Sequence, residues 1–168
     1  MKKVLLFMAA AVMSVSVTFA QVDDKAAAKA AKAAAKALKA EIKAANKVLR
    51  EAQGQLNAID GSIDQANTLI EQAMQNKHTA SNPDTWYTAG KIQNKYYDKE
   101  NEKMYLQQPY NQELFFGSLS KMFDYFIKCD ELEQQPNAAG KVVVKYRAET
   151  SELLARLRIN LVSGGVTY

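Results

Sequence analysis

Apolar and small residues recur with helical spacing along the first part of the chain. Residues 25–53 contain no glycine or proline, and alanine predominates there. Positions spaced alternately by three and four residues form one seam: Ala28, Ala31, Ala35, Leu38, Ile42, Ala45, Leu49, Ala52, Leu56 and Ile59. This heptad-like pattern predicts one long helix with a coiled-coil-like face. Because alanine buries little apolar area, we expect the seam to pack weakly before Leu38 and properly after it.

Shorter helices are predicted after this segment. The dipeptide "DG" at residues 60–61 is a turn signal, and Ser62 can cap a second helix. The apolar face of that helix comprises Ile63, Ala66, Ile70 and Ala73 or Met74. The loop "HTASNP" offers Ser81 or Asn82 as the next N-cap and a proline for the first helical position. A third helix is therefore predicted to begin near Asp84.

The first twenty residues have the layout of a secretory signal peptide. Lys2 and Lys3 precede an apolar run over residues 4–17, and small residues at Thr18 and Ala20 suit cleavage after Ala20. The alternative is an uncleaved anchor, but the run is shorter than the roughly 20 residues that span a bilayer. No cysteine follows the cleavage point for lipid attachment. We expect a periplasmic or secreted protein.

Basic charge is concentrated in one segment. Lys25–Arg50 holds eight basic residues against Glu41 alone, a net charge of +7, whereas residues 51–168 hold twelve basic and fifteen acidic residues. Three interpretations of this Ala/Lys-rich segment stay open. It can be a solvated helical extension, a polyanion-binding element for anionic lipid, acidic glycan or nucleic acid, or an amphipathic membrane helix. The segment lacks aromatic residues for stacking on bases or entering a membrane.

A repeated pattern follows this segment. Gly54 and Gly90 lie 36 residues apart, and Gly90 closes the sequence "WYTAG". Two later sets share spacings of four and three residues: Ala66, Ile70, Ala73 and Met122, Phe126, Cys129. From about residue 46 to residue 168 the chain resembles the tetratricopeptide repeat family. More specifically, it resembles the N-terminal portion of an exported family of such proteins in Gram-negative bacteria. The resemblance implies an all-α fold of antiparallel helix pairs, an α-solenoid, preceded by the long Ala/Lys-rich helix.

Two departures from the family pattern stand out. The interval from Trp86 to Met122 is 36 residues, so about 20 residues beginning at Tyr96 are inserted between the helices or extend them. The last predicted helix ends at Gly164-Gly165, where its partner helix would begin. An unpaired last helix would expose its leucines, Leu153, Leu154, Leu157 and Leu161. We therefore expect a homo-oligomer through this helix, or marginal stability.

The sequence contains no catalytic constellation. His78 is the only histidine, and no zinc spacing or glycine-rich phosphate loop is present. Acidic residues at a helix end, Asp130, Glu131 and Glu133, are expected to be solvated, and Cys129 is expected to be buried. We predict no catalytic, cofactor-binding or metal-binding residue, and no enzyme activity.

The resemblance also implies a binding surface. First helices of successive pairs line a concave face in this family, and the corresponding positions here are Asp84, Tyr87, Lys91, Asn94 and Lys95. They form a candidate groove for an unidentified protein or peptide, or are ordinary solvated helix residues. The predicted domains are a signal peptide over 1–20, an extension over 21–46 and the repeat domain over 47–168. The predicted function is a noncatalytic interaction scaffold, and the alternative is cationic surface attachment through residues 25–50.

Overall fold

In the computed structural model, which describes residues 24–137 and 139–167, the chain forms five helices and no strand over that range. Their bounds are α1 Asp24–Asn57, α2 Ile63–Gln75, α3 Pro83–Tyr105, α4 Gln112–Glu133 and α5 Arg147–Thr167. The predicted all-α class is confirmed. None of these helices is both long and apolar enough to cross a membrane.

The chain divides into two compact units within α1. The first unit ends at Leu38 and the second begins at Lys39. In the first unit, every described side chain from Ala26 onward is exposed. The predicted signal peptide, residues 1–20, and the first residues of the predicted extension lie outside the described residues.

Side-chain caps fix where the shorter helices begin. Ser62 accepts a hydrogen bond from the backbone nitrogen of Gln65 at 3.2 Å, and Asn82 accepts one from that of Asp84 at 3.0 Å. Both caps satisfy backbone donors that the first helical turn leaves free. The predicted N-caps of α2 and α3 are confirmed.

Consecutive helices of the second unit are antiparallel. Residues late in one helix meet residues early in the next, as in Gln55 with Ser62 and Tyr97 with Phe115. Earlier residues meet later ones in the same way: Glu41 with Lys77, Asp64 with Tyr96, and Asn67 with Gln93. Helices α3 and α5 instead run in the same direction. Their contacts pair Asp84 with Tyr146, Tyr87 with Glu149, and Tyr97 with Asn160, at sequence separations of 62, 62 and 63.

Two hydrophobic clusters form the core. The first joins α1, α2 and α3 through small and aliphatic side chains: Leu49, Ala52, Ala66, Ile70, Ala73, Ala89 and Ile92. The second joins α3, α4 and α5 and is rich in aromatic residues: Tyr97, Phe115, Leu119, Met122, Phe126 and Leu157. The burial predicted for both sets of repeat positions, including Cys129, is confirmed.

The two glycines of the repeat pattern have different surroundings. A methyl group added at Gly90 would overlap the ring of Phe126, so the absence of a side chain lets α4 lie close to α3. The corresponding atom at Gly54 would meet nothing within 4 Å. Gly54 therefore makes no close helix contact, contrary to what its place in the repeat pattern implies.

The tryptophan of "WYTAG" ties the loop before α3 to the helix. The Trp86 indole nitrogen donates to the carbonyl oxygen of Ala80 at 2.7 Å, and its ring packs edge-on against Tyr125 with centroids 5.8 Å apart. The buried Thr85 hydroxyl donates to the carbonyl oxygen of Thr79 at 2.8 Å. Trp86 thus serves packing and loop closure together.

The residues inserted relative to the repeat pattern extend both helices of the α3–α4 hairpin. Tyr97 is 2% exposed and packs on Phe115. Glu100, also 2% exposed, accepts hydrogen bonds from the Asn111 backbone nitrogen at 2.7 Å and the Lys103 ammonium at 2.5 Å. A carboxylate buried with both donors in place fixes the turn between the two helices.

The expectation that the leucines of the last helix lie exposed is wrong. Leu157 is 8% exposed within the second cluster, and the partly buried Leu153, Leu154 and Leu161 pack against that cluster. Helix α5 also continues past Gly164-Gly165 to Thr167. Because α5 already buries its leucine face against α3 and α4, these residues no longer require a homo-oligomer.

Candidate functional site

The predicted site residues all lie on α3, and the structure divides them into two groups. Asp84, Tyr87 and Lys91 meet residues 145–149 at the start of α5. Asn94 and Lys95 lie one turn further along α3, where the Lys95 side chain is exposed. The helical spacing brings the five onto one side of α3, but α5 covers part of that side.

The centre of the first group is a stacked tyrosine pair. The rings of Tyr87 and Tyr146 are nearly parallel, with an interplanar angle of 11° and centroids 3.8 Å apart. The Tyr87 hydroxyl donates to a Glu149 carboxylate oxygen at 2.8 Å, and the Lys91 ammonium donates to the other at 3.0 Å. Burial and then the Glu149 carboxylate raise the pKa of Tyr87, whereas Lys91 and Tyr87 lower the pKa of Glu149.

Asp84 holds the opposite edge of this stack. Its carboxylate accepts the Tyr146 hydroxyl at 2.6 Å and the Lys145 ammonium at 3.4 Å. Burial, reinforced by the Asp84 carboxylate, raises the pKa of Tyr146 to about 12. Tyr146 is therefore a neutral hydrogen-bond donor at physiological pH, and the stack keeps its bonding pattern there.

The second group is a polar surface with excess positive charge. The Asn94 amide donates to the Asp98 carboxylate at 2.7 Å. Burial raises the pKa of Asp98, and the positive charges of Lys95, Arg156 and Lys91 oppose that rise. Lys95 and Arg156 are exposed, whereas Lys91 is already paired with Glu149. Such a surface attracts acidic segments of a partner.

Glu133 is a structural anchor that sequence reasoning missed. It was expected to be a solvated residue at a helix end, but it is 3% exposed. Its carboxylate accepts hydrogen bonds from the backbone nitrogens of Lys145 at 2.7 Å and Tyr146 at 2.9 Å. The contact holds the start of α5 against the end of α4. No local sequence pattern predicts this contact, because Glu133 and its two partners meet only when the linker between them folds back.

Neither metal nor thiol chemistry is evident in the part of the chain that the structure describes. No group of three His, Cys, Asp or Glu side chains there is placed to hold a metal ion. Cys129 is buried, and burial followed by the Glu133 carboxylate raises the pKa of its thiol to about 12. The thiol is therefore protonated and shielded, unlike a nucleophilic cysteine.

The Ala/Lys-rich part of α1 presents a separate basic surface. Six described lysines of this helix are exposed: Lys29, Lys32, Lys36, Lys39, Lys43 and Lys47. Within the described residues the first five have no acidic partner, whereas Lys47 pairs with Glu51 at 3.4 Å. Their charge is consequently available to an external anion.

Comparison with known proteins assigns no family to the chain. No family model matches it, and searches of curated proteins and of solved structures found no significant match. What the fold and the site define is a class: an all-helical protein, in the part that the structure describes, with a polar surface along α3 and the start of α5.

Proposed function

We propose that the protein is a noncatalytic, exported interaction scaffold of the tetratricopeptide repeat type. The observation that carries the proposal is the parallel alignment of α3 and α5, each antiparallel to α4. Alternate helices aligned in this way give a repeat protein one continuous binding face. The close approach of α4 at Gly90 is also what such packing requires.

The proposed binding face consists of Lys91, Asn94 and Lys95 of α3 together with Arg156 of α5. Tyr146 covers one face of the Tyr87 ring, so Tyr87 offers a partner mainly the uncovered part of its ring. The buried oxygen Oδ1 of Asn94 lacks a hydrogen-bond donor within the described part of the chain. With Lys95 and Arg156 exposed on it, the face suits an extended peptide that carries acidic side chains.

A selection from a random peptide library tests this assignment. We expect peptides enriched on the wild-type protein to lose binding to a triple variant, Tyr87→Ala, Lys91→Glu and Lys95→Glu. The matched control is Lys121→Glu, which reverses an exposed charge on α4. Equal binding of the selected peptides to the triple variant would refute the proposed face, provided that circular dichroism shows an unchanged helix content.

A second candidate function rests on the five lysines of α1 that have no acidic partner in the described part of the chain. We propose that this segment attaches the protein to a polyanionic surface such as anionic lipid, acidic glycan or nucleic acid. Binding to anionic vesicles and to DNA should then fall steeply with salt, since counterion release contributes a log–log slope of about −0.9 for each duplex phosphate neutralised. If deletion of residues 22–47 leaves this binding unchanged, the candidate fails.

We also propose export through the N-terminal segment. The mature protein should begin at Gln21. N-terminal sequencing of protein from the periplasm or medium of a producing Gram-negative cell checks the cleavage site. An intact N-terminus in the cytoplasmic fraction would contradict this proposal.

A further inference from the structure

An apolar segment without regular secondary structure lies between α4 and α5. It reads Lys-Val-Val-Val-Lys over residues 141–145 and has no helical or strand pairing. Val142, Val143 and Val144 are 54%, 58% and 46% exposed. Within the described residues, their backbone groups make no hydrogen bond to each other or to the rest of the chain. Three consecutive β-branched residues with free backbone edges favour strand pairing.

Both ends of this segment are fixed. At one end, the Asn137 backbone nitrogen donates to the Lys141 carbonyl oxygen at 2.9 Å, and the Asn137 side chain accepts the Lys141 backbone N–H at 3.1 Å. At the other, the buried Glu133 carboxylate accepts the Lys145 backbone N–H at 2.7 Å. Because both ends are held before any partner arrives, the entropic cost of ordering the segment on binding is lowered.

The valines present alternate faces. Val143 lines a pocket of about 410 Å³ together with Leu132, Pro136 and Tyr146, whereas Val142 and Val144 do not line it. Successive side chains of a strand point to opposite faces. A partner strand paired with this segment would therefore place alternate side chains over the pocket, the arrangement by which strand addition achieves specificity.

We infer that residues 141–145 form an interaction strand that pairs antiparallel with the edge strand of a partner's β-sheet. The partner's edge strand carries acidic residues opposite Lys141, which has no acidic partner among the described residues, and Lys145, whose side chain is 61% exposed beside Asp84. A second copy of this chain is disfavoured because antiparallel pairing centred on Val143 would set Lys141 against Lys145, and like charges directly opposite destabilise a ladder. The strand lies outside the face proposed on α3, so this inference stands or falls independently of that proposed function.

The test uses the full protein and a cyclic β-hairpin peptide whose outer strand reads Glu-Thr-Val-Thr-Glu. We expect the hairpin to slow hydrogen exchange at the amides of Val142–Val144. A control hairpin with lysine in place of both glutamates should bind roughly fivefold or more weakly, since two cross-strand charge pairs are reversed. Unchanged exchange, equal binding of the two hairpins, or protection that grows with protein concentration in the absence of hairpin would each overturn the inference.

Matched variants locate the paired edge. Successive amides of a strand point to opposite edges, so Val142→Pro and Val143→Pro each remove a donor from a different edge. One variant should weaken binding of the Glu hairpin roughly tenfold or more, and the other less than roughly threefold. Lys141→Glu should bring the two hairpins to roughly equal binding, because its new charge repels one glutamate and attracts one lysine. If both proline variants or neither lose binding, or if Lys141→Glu leaves the preference for the Glu hairpin intact, strand pairing is excluded.

Discussion

The N-terminal part of α1 and the α3–α4 hairpin are both helical for different physical reasons. From Ala26 to Ala44 every side chain of α1 is exposed, so the helix there relies on the intrinsic propensity of alanine and lysine. The hairpin instead buries large aromatic side chains, including Tyr97 and Phe126, at 2% and 1% exposure. The N-terminal part of α1 should tolerate substitution at most positions, whereas the α3–α4 hairpin depends on how its buried side chains fit their neighbours.

The largest effect should come from truncating a large apolar side chain in each region. Phe126→Ala leaves a cavity in the second cluster and should lower the free energy of unfolding by about 3–5 kcal/mol. Leu38→Ala, at a side chain that is 46% exposed, should change it by less than about 0.5 kcal/mol. Urea unfolding followed by circular dichroism measures both. Similar losses for the two variants would contradict the contrast.

Two glycine substitutions test the same contrast, because their effects on stability should have opposite signs. Gly90→Ala forces a methyl group into the Phe126 ring and should destabilise the protein by about 1–3 kcal/mol. Gly54→Ala meets open space in a helix and should stabilise it by up to about 1 kcal/mol. Thermal unfolding of both variants checks the signs. In a Phe126→Leu background Gly90→Ala should lower the free energy of unfolding less, since the aromatic ring is absent. An unchanged loss of stability would point to a contact other than the Phe126 ring.

A third pair of variants separates buried from exposed carboxylates on α4. Glu133→Ala leaves the backbone N–H groups of Lys145 and Tyr146 without their acceptor and should cost about 1–3 kcal/mol. Glu131→Ala removes only an exposed ion pair with Lys128 and should cost less than about 0.5 kcal/mol. Amide exchange at Lys145 and Tyr146 should accelerate in the first variant alone. Equal stability of the two variants would remove the anchoring role from Glu133.

A fourth prediction concerns alkaline pH. The pKa of the Cys129 thiol rises from its usual 9.0 to about 12 in the folded protein, so the folded state holds this proton more tightly than the unfolded chain. The resulting stability is present below about pH 9 and is lost as pH rises toward 12. Cys129→Ala should therefore flatten the decline in unfolding midpoint between pH 9 and 11. A residual decline is expected, since the pKa of Tyr146 is also raised to about 12.

A reaction with a thiol reagent complements that measurement. At pH 8 the native protein should react slowly with a disulfide reagent, because Cys129 is buried and protonated. The urea-unfolded chain should react at the rate of an ordinary cysteine. Fast labelling of the native protein would show that α4 opens readily or that the thiol is accessible.

Local patterns were sufficient for most helices and for part of the core. The Ser62 and Asn82 caps, the repeat spacing of small residues on α2 and the burial of Cys129 follow from side chains three or four positions apart. The prediction that the leucines of the last helix lie exposed was wrong. The sequence does not show that α5 packs back along α3 and α4. Similarly, the pattern could not distinguish Gly90 from Gly54, since the ring that fills the space at Gly90 comes from another helix.

The sequence by itself determined the helical class, the starts of α2 and α3 and the uneven charge, because each depends on residues close together in the chain; the candidate face on α3 stays a prediction. Only the tertiary structure decided that Tyr146 and Glu149 cover part of that face. It alone buried Glu133 and left three valines exposed between two fixed points. These features join residues through the path of the folded chain, and local periodicity carries no information about such contacts.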